Sequence, residues 1–331
     1  MANVTTNEWI EWAAYNLAQG ISATDVKSEL MKGGLSPEES SGVIQQVRAN
    51  PVFAAATQIA RKFKLASLMN EALLELESQV RDFTRLPRVS NLSSADFHRY
   101  YYSVNRPVII EDVVPRWPAT SRWNLDFFRR EFGTALVTYQ SGRSPTDHRD
   151  SFVDHTIEAP FSQFLDAVET SDSNGSKPYL IAHDHLFEKA PFRPLLNDIT
   201  FDSRYFDPQE VIGRCFFWLG PAGSTTPMHR DLGNVYLAQI SGRKLFRMVP
   251  SQQLHLIYNE VGYHSEVDFD NLNLEKFPLL KDAYIAEEVV GPGDLLFIPV
   301  GWWHFVKSLD VTISVTGNNF AFPNKLRPIF D

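Results

Sequence analysis

Up to Arg85 the apolar positions recur at helical spacing. Trp9, Ile10, Ala13, Ala14 and Leu17 mark one face of a segment that Asn7 can cap and Gly20 ends. Ser22 with Asp25 three residues on resembles a capping box, and Gly33-Gly34 stops the helix it would open. Ser36-Pro37-Glu38-Glu39 opens another, with Ser as cap, Pro in the first turn and two acids facing the positive end of the dipole. Asn50-Pro51 breaks it. A longer amphipathic stretch then runs from Val52 to Arg85 through Ile59, Phe63, Ala66, Leu73, Leu74 and Leu76. Residues 1–85 therefore read as an N-terminal helical module, and residues 86–331 as a second domain.

Beyond Pro87 the pattern changes to short runs of Val, Ile, Phe and Thr bounded by Gly, Pro and Asp. Strands are expected at Pro107–Val114, Ala135–Tyr139, Tyr179–Ala182, Cys215–Leu219, Asn234–Ile240, Lys244–Val249, Glu288–Val290, Leu295–Ile298, His304–Ser308 and Val311–Thr316. So many short strands argue a mainly β sandwich or barrel. Ser94–Tyr102 and Asn124–Glu131 read as helices decorating it, and Ser141–Asp150 and Ser171–Ser176 as exposed polar loops.

Composition narrows the function. Lys and Arg number 31 against 40 Asp and Glu, a net charge of −9 that offers no field for nucleic-acid phosphates. The single cysteine, Cys215, excludes an internal disulfide framework and any Cys-rich metal site, and fits a reducing cytoplasm. The N-terminal residues lack the basic and apolar regions of a secretory signal, and no apolar run is long enough to span a membrane. Aromatic residues make up 13% of the chain, which points to a core or cleft rich in flat side chains. In the helical module Trp9, Trp12, Phe53 and Phe63 are too many large rings for so small a body to bury. Some are expected to pack on the second domain or across a homodimer, and the module to help hold a polypeptide substrate.

With only one cysteine, a metal site must come from His and carboxylates. On a strand, residues i and i+2 share a face, so His-x-Asp or His-x-Glu sets an imidazole beside a carboxylate. A third ligand from a neighbouring strand completes the facial triad of non-haem Fe(II) oxygenases. The spacing occurs at His148/Asp150, His229/Asp231 and His264/Glu266. His148 sits in a polar loop, and His264 in a polar stretch with no apolar run beside it. His229 stands where the loop GPAGSTTP gives way to the apolar run NVYLAQI, the rim of a strand. Downstream, His304 enters a strand behind Trp302 and Trp303 and is the candidate third ligand.

The segments TTPMHRDLGNVYLAQISGRKLFRMVP, SEVDFDNLNLEKFP and VVGPGDLLFIPVGWWHFVKSL, with LPRVSNLSSADFHRYYYSVNRPVIIEDVVPRWPA upstream, resemble the Jumonji-C / cupin-like Fe(II)- and 2-oxoglutarate-dependent hydroxylases. That family includes the asparaginyl hydroxylase that inhibits hypoxia-inducible factor and its bacterial cupin-like relatives. The likeness covers about residues 86–320. It implies a double-stranded β-helix (jelly-roll or cupin fold) with Fe(II) on His229, Asp231 and His304, and with 2-oxoglutarate and O2 as cosubstrates. Lys244 in GRK would then neutralise the far carboxylate of 2-oxoglutarate, which a buried site requires. Thr226 matches the family's hydroxyl donor to that carboxylate, and Tyr179 its tyrosine on an earlier strand. An Asn that the family often places six residues after the first His is Val235 here, with Asn234 one residue before it. Another, near the end of the last core strand, is Thr316, with Asn318 and Asn319 just beyond. Arg230, between the ligands, should point away from them.

The expected activity is hydroxylation of a C–H bond, on an amino-acid side chain of a peptide or protein. Hydroxylation of a free or carrier-bound small molecule, a silent cupin-like binding module and a Zn or Mn cupin isomerase remain the rivals.

Overall fold

Ser22, Ser36 and Asn50 each stand at the start of a helix in the computed structural model of the chain, which describes residues 6–18, 20–142, 155–171, 177–259 and 262–324. The expected loops Ser141–Asp150 and Ser171–Ser176 fall for the most part outside the described residues. Two units divide the chain, Met1–Gln79 and Val80–Asp331.

The first unit is helical: α1 (Thr6–Ala18), α2 (Ala23–Lys32), α3 (Pro37–Ala49) and α4 (Pro51–Ser78). Ser36 and Glu39 form a full capping box. The Ser36 hydroxyl accepts from Glu39 N at 3.2 Å and the Glu39 carboxylate accepts from Ser36 N at 2.8 Å, which holds the Glu39 carboxyl below its ordinary value. At Ser22 only half the box forms, because the Asp25 carboxylate accepts from the Ser22 hydroxyl rather than from its backbone. Gly33 keeps an ordinary negative φ, and its lack of a Cβ makes room for the Trp9 ring. Trp9, Trp12 and Phe53 join a core of Ala13, Leu17, Val26, Leu30, Val43, Ile44 and Val47. Of the four large rings, only Phe63 stays out, 71% exposed. The helix expected to reach Arg85 stops at Ser78, and Asp82 then closes a turn by accepting from both the backbone and the hydroxyl of Thr84.

The second unit is built on β5 (Cys215–Gly220), β6 (Thr225–Arg230), β7 (Val235–Ser241), β8 (Lys244–Val249), β9 (Ala286–Val290), β10 (Leu295–Ile298), β11 (Trp303–Ser308) and β12 (Thr312–Gly317). They fall into two antiparallel sheets of four, ordered β10-β7-β12-β5 and β6-β11-β8-β9, the order of a double-stranded β-helix. The first sheet is extended by β2 (Val108–Ile110) and β1 (Arg88–Val89), and a separate hairpin pairs β3 (Leu136–Gln140) with β4 (Thr156–Pro160). Helices α5 (Ser94–Phe97), α6 (Ala119–Arg122), α7 (Leu125–Phe132) and α8 (Phe161–Glu169) decorate it. The expected helix Ser94–Tyr102 is α5 followed by a wider π turn over His98–Tyr102. Tyr179–Ala182 is no strand. It makes single bridges only, from Tyr179 to Gln140 and from Leu180 to Leu219.

Aromatic packing holds this unit. Phe97, 1% exposed, meets Tyr102, Tyr205, Phe297 and Phe320 at ring separations of 5.1–6.3 Å, tying α5 to β10 and to the chain after β12. Emptying that position loses both apolar transfer and ring contacts. Phe97→Ala is expected to lower the unfolding free energy by about 3–5 kcal/mol in urea titrations. Val80→Ala, at a position 83% exposed, should stay within about 0.5 kcal/mol of the parent.

Candidate active site

β6 and β11 pair so that His229 lies directly across from His304. The register then slips, and Phe305 faces both Pro227 and Met228 before Val306 meets Thr226. Pro227 has no N–H to give to the ladder, and a bulge is one of the few places where a strand tolerates it. On a regular strand residues three apart face opposite sides. The extra residue restores a common side, so Thr226 and His229 both line one cavity while Met228 packs with Trp303 and Phe305 behind the sheet. Asp231 follows directly after β6. Its carbonyl accepts from Gly301 N at 3.0 Å, which ties this end of β6 to the bend that leads into β11.

The outcome is a cluster of two imidazoles and one carboxylate. Ligand atoms of His229, Asp231 and His304 all lie within 4.8 Å of one another, the one group of this kind among the described residues. The His229 Nδ1 sits 2.8 Å from the Pro227 carbonyl and the His304 Nδ1 3.1 Å from the Trp302 carbonyl. A carbonyl only accepts, so each Nδ1 carries the proton and each Nε2 presents its lone pair. This donor set suits Fe(II) and leaves coordination positions for other ligands. Cys215 is no competing ligand, since burial pushes its thiol up to about 12.

The cavity measures about 510 Å³ and draws its walls from both sheets. Lys244 also lines it, at the start of β8, 1% exposed, with its Nζ donating to the Tyr179 hydroxyl at 3.0 Å. The rings of Tyr179 and Trp218 stand 5.4 and 5.8 Å from the ammonium. Among the described residues no carboxylate pairs with it. A buried charge without a counter-ion is costly, so this ammonium suits an anionic ligand. Arg243 and Arg247, the other cations of this strand region, are engaged elsewhere, with Asp310 at 2.8 Å and Glu287 at 2.7 Å. Gly220 lets the Tyr179 ring seat here, because a Cβ at 220 would collide with it. The Thr316 hydroxyl accepts from the Trp218 indole at 2.7 Å, and the nearby Asn318 Oδ1 is buried in the cavity wall with no partner among the described residues.

Of the residues anticipated from sequence, His229, Asp231, His304, Lys244, Thr226, Tyr179 and Thr316 share this one cavity, and Asn234 does not. The one-residue offset puts Val235 on the lining, while the Asn234 side chain accepts from Val300 N at 2.9 Å. Asn319 is likewise turned away, accepting from the Tyr236 hydroxyl at 2.8 Å. The Arg230 guanidinium lies 5.4 Å from the Trp303 ring and 6.0 Å from that of Tyr263, while the residue also contributes to the cavity wall. His148 lies outside the described residues. His264, which stands in a polar stretch with no apolar run beside it, lines the cavity with its ring 5.9 Å from that of His229. Its segment covers the outer edge of β6, with Arg230 N donating to the Tyr263 carbonyl and Ser265 N to the Met228 carbonyl. Trp218 has no signal in the sequence, because strand pairing, not sequence distance, brings it here.

Comparison with known proteins agrees with this geometry. The cupin-like domain family matches residues 94–320. The chain is 31% identical over 298 residues to lysine-specific demethylase JMJ30 of Arabidopsis thaliana, covering 88% of this chain and 67% of that one. It is 30% identical to lysine-specific demethylase 8 of Xenopus tropicalis, covering 70% and 52%, and 27% identical to arginine-specific demethylase JMJ20 of Arabidopsis thaliana, covering 69% and 55%. The chain thus spans between about half and two thirds of the length of these relatives. Their shared chemistry runs on Fe(II), 2-oxoglutarate and O2. A matched domain, a 2-His-1-carboxylate cluster and a buried ammonium in one cavity place the chain in the cupin-like Jumonji-C family of Fe(II)- and 2-oxoglutarate-dependent oxygenases.

Proposed function

We propose that this chain hydroxylates a C–H bond on an amino-acid side chain of a peptide or protein. In this reading His229, Asp231 and His304 hold Fe(II), and Lys244, Thr226 and Tyr179 receive 2-oxoglutarate. The observation that carries it is the buried Lys244 ammonium, without a carboxylate partner among the described residues, in the cavity that also holds the triad. The ammonium together with the complete triad favours this reading over an isomerase or a silent binding module.

The chemistry that an iron supplies there is the oxidation of 2-oxoglutarate by O2 to succinate and CO2, with the second oxygen atom inserted into the C–H bond. The protein's own work is positioning. The Pro227 and Trp302 carbonyls fix both imidazoles with Nε2 inward. Asp231 adds the negative charge that a divalent cation needs. Lys244 neutralises the far carboxylate of 2-oxoglutarate, and the Tyr179 hydroxyl orients the ammonium. Trp218 and Phe246 wall the cavity with apolar surface and limit water there.

The demethylase names of the relatives support a polypeptide substrate and also a second reading, in which the oxidised carbon is an N-methyl group. The same hydroxylation then gives a carbinolamine that releases formaldehyde.

Two outcomes test this. His229→Ala and Asp231→Ala should each reduce iron-dependent succinate formation to background while melting within a few degrees of the parent, because both residues line a cavity rather than fill the core. Normal turnover by both would remove the triad assignment. For the substrate, peptides with and without N-methylated Lys or Arg are incubated with iron, ascorbate and 2-oxoglutarate and weighed intact. A gain of one oxygen atom marks side-chain hydroxylation, and loss of a CH2 with formaldehyde marks demethylation. Consumption of a free amino acid with every peptide unchanged would overturn the polypeptide reading.

A further inference from the structure

Charge is unevenly placed around the cavity. Among the described residues that line it, Lys244 and Arg230 are the cations and Asp231 is the one carboxylate. His183 and His264 also line it and can add only positive charge. With iron and 2-oxoglutarate bound, two positive charges on the metal and one on Lys244 meet one negative charge on Asp231 and two on the cosubstrate. Arg230 is left over. Ile181, Phe216, Leu232 and Val235 add apolar wall and no counter-charge.

Arg230 ends β6, an edge strand, and directly precedes Asp231. Its backbone N donates to the Tyr263 carbonyl, and its guanidinium lies near the rings of Tyr263 and Trp303. Tyr263 is itself part of the cavity wall and 41% exposed, so the cation stands at the rim of the cavity. Among the described residues no carboxylate pairs with it, and its Nε is buried without a hydrogen-bond partner. Arg88, Arg204 and Arg247, by contrast, each hold an acid. A guanidinium keeps its charge at any pH a protein meets, and its planar fork fits a carboxylate through two parallel hydrogen bonds. Neighbouring rings hold such a plane without satisfying its N–H groups. A methylammonium or second guanidinium brought in by a substrate would meet like charge here, whereas a carboxylate would close the balance.

We infer that this cavity selects an acidic substrate and that Arg230 is the residue that takes its carboxylate. The inference rests on the hydroxylase reading, and it favours oxidation at or beside an acidic residue over N-demethylation of Lys or Arg. The probes are short labelled peptides with blocked ends in matched series on one Ala host: Asp or Glu, Asn or Gln, and Lys, methylated Lys or Arg. A further neutral series with a free C-terminus tells a terminal carboxylate from a side-chain one. Binding to the full chain loaded with iron and 2-oxoglutarate is read by fluorescence anisotropy without oxygen. Oxygen is then admitted and the peptides are weighed intact. A carboxylate series is expected to bind roughly tenfold more tightly than the neutral blocked one, the worth of one charged hydrogen bond, and to be the series that gains an oxygen atom. Arg230→Gln should remove the difference, Arg230→Lys should keep most of it, and Arg230→Glu should turn the preference to the basic series. Metal content and 2-oxoglutarate affinity of each variant should match the parent. A parent that prefers the basic or the neutral blocked series, or that binds neither carboxylate series, would overturn the inference, and so would an acidic preference untouched by Arg230→Gln. Iron-dependent succinate formation by the parent separates the two failures. Where it is present, only the role of Arg230 falls; where it is absent, the oxygenase reading falls as well.

Discussion

The site depends on one pairing, that of β6 with β11 across His229 and His304. Two ligands from separate parts of the chain become neighbours because two strands share a register. The slip at Pro227-Met228 then decides what else faces the metal position, since it returns Thr226 to the side of His229. Asn234 contributes from outside the cavity. By accepting from Val300 N it holds the bend before β11 against the start of β7, and Gly301 N reaches back to the Asp231 carbonyl. The segments carrying the ligands are thus cross-braced by one side-chain and one backbone hydrogen bond. Positions braced this way are what a metal of fixed geometry needs.

Charge complements geometry. Surface pairs such as Arg243–Asp310 contribute little, being exposed and screened. Lys244 is different. Its ammonium is buried beside two aromatic rings and donates to a tyrosine hydroxyl, so it is a charge that an anionic ligand would compensate. Stability given up there becomes selectivity for a carboxylate. The buried trio of Cys215, Tyr236 and Asn319 sits beside this region and plays another part, linking β5, β7 and the chain after β12 through neutral groups. Burial drives both the thiol and the phenol upward, so neither ionises near neutral pH.

Much of this was legible in the sequence where the signal is local. β10 is a continuous apolar run, β7, β8 and β12 are rich in β-branched, aromatic and aliphatic residues, and the cap at Ser36 is a short-range hydrogen-bonding pattern. β6 was not legible as a full strand, because TTPMHR is polar and holds a proline, and only its partner β11 makes it one. In the opposite direction, Tyr179–Ala182 has the composition of a strand and lacks a ladder. The helix from Val52 ended early because an Asx turn at Asp82 competes with it. His264 illustrates the limit of reading a strand from its own residues. It was set aside for want of an apolar run, yet the edge of β6 captures its backbone and delivers the ring to the cavity. Conversely, Asn234 looked like part of the ligand shell and is a brace, since one residue of offset turns a strand side chain to the other face.

The most direct test of the account is the affinity of the metal-loaded chain for 2-oxoglutarate, measured without oxygen, in the parent and in Lys244→Met. Methionine keeps most of the side-chain volume and removes the charge. Breaking a buried ion pair costs about 3–5 kcal/mol, so the dissociation constant should rise by roughly two orders of magnitude or more, with metal content unchanged. An unchanged dissociation constant would contradict the account, for it would mean that the one buried ammonium of the cavity is not what holds the cosubstrate.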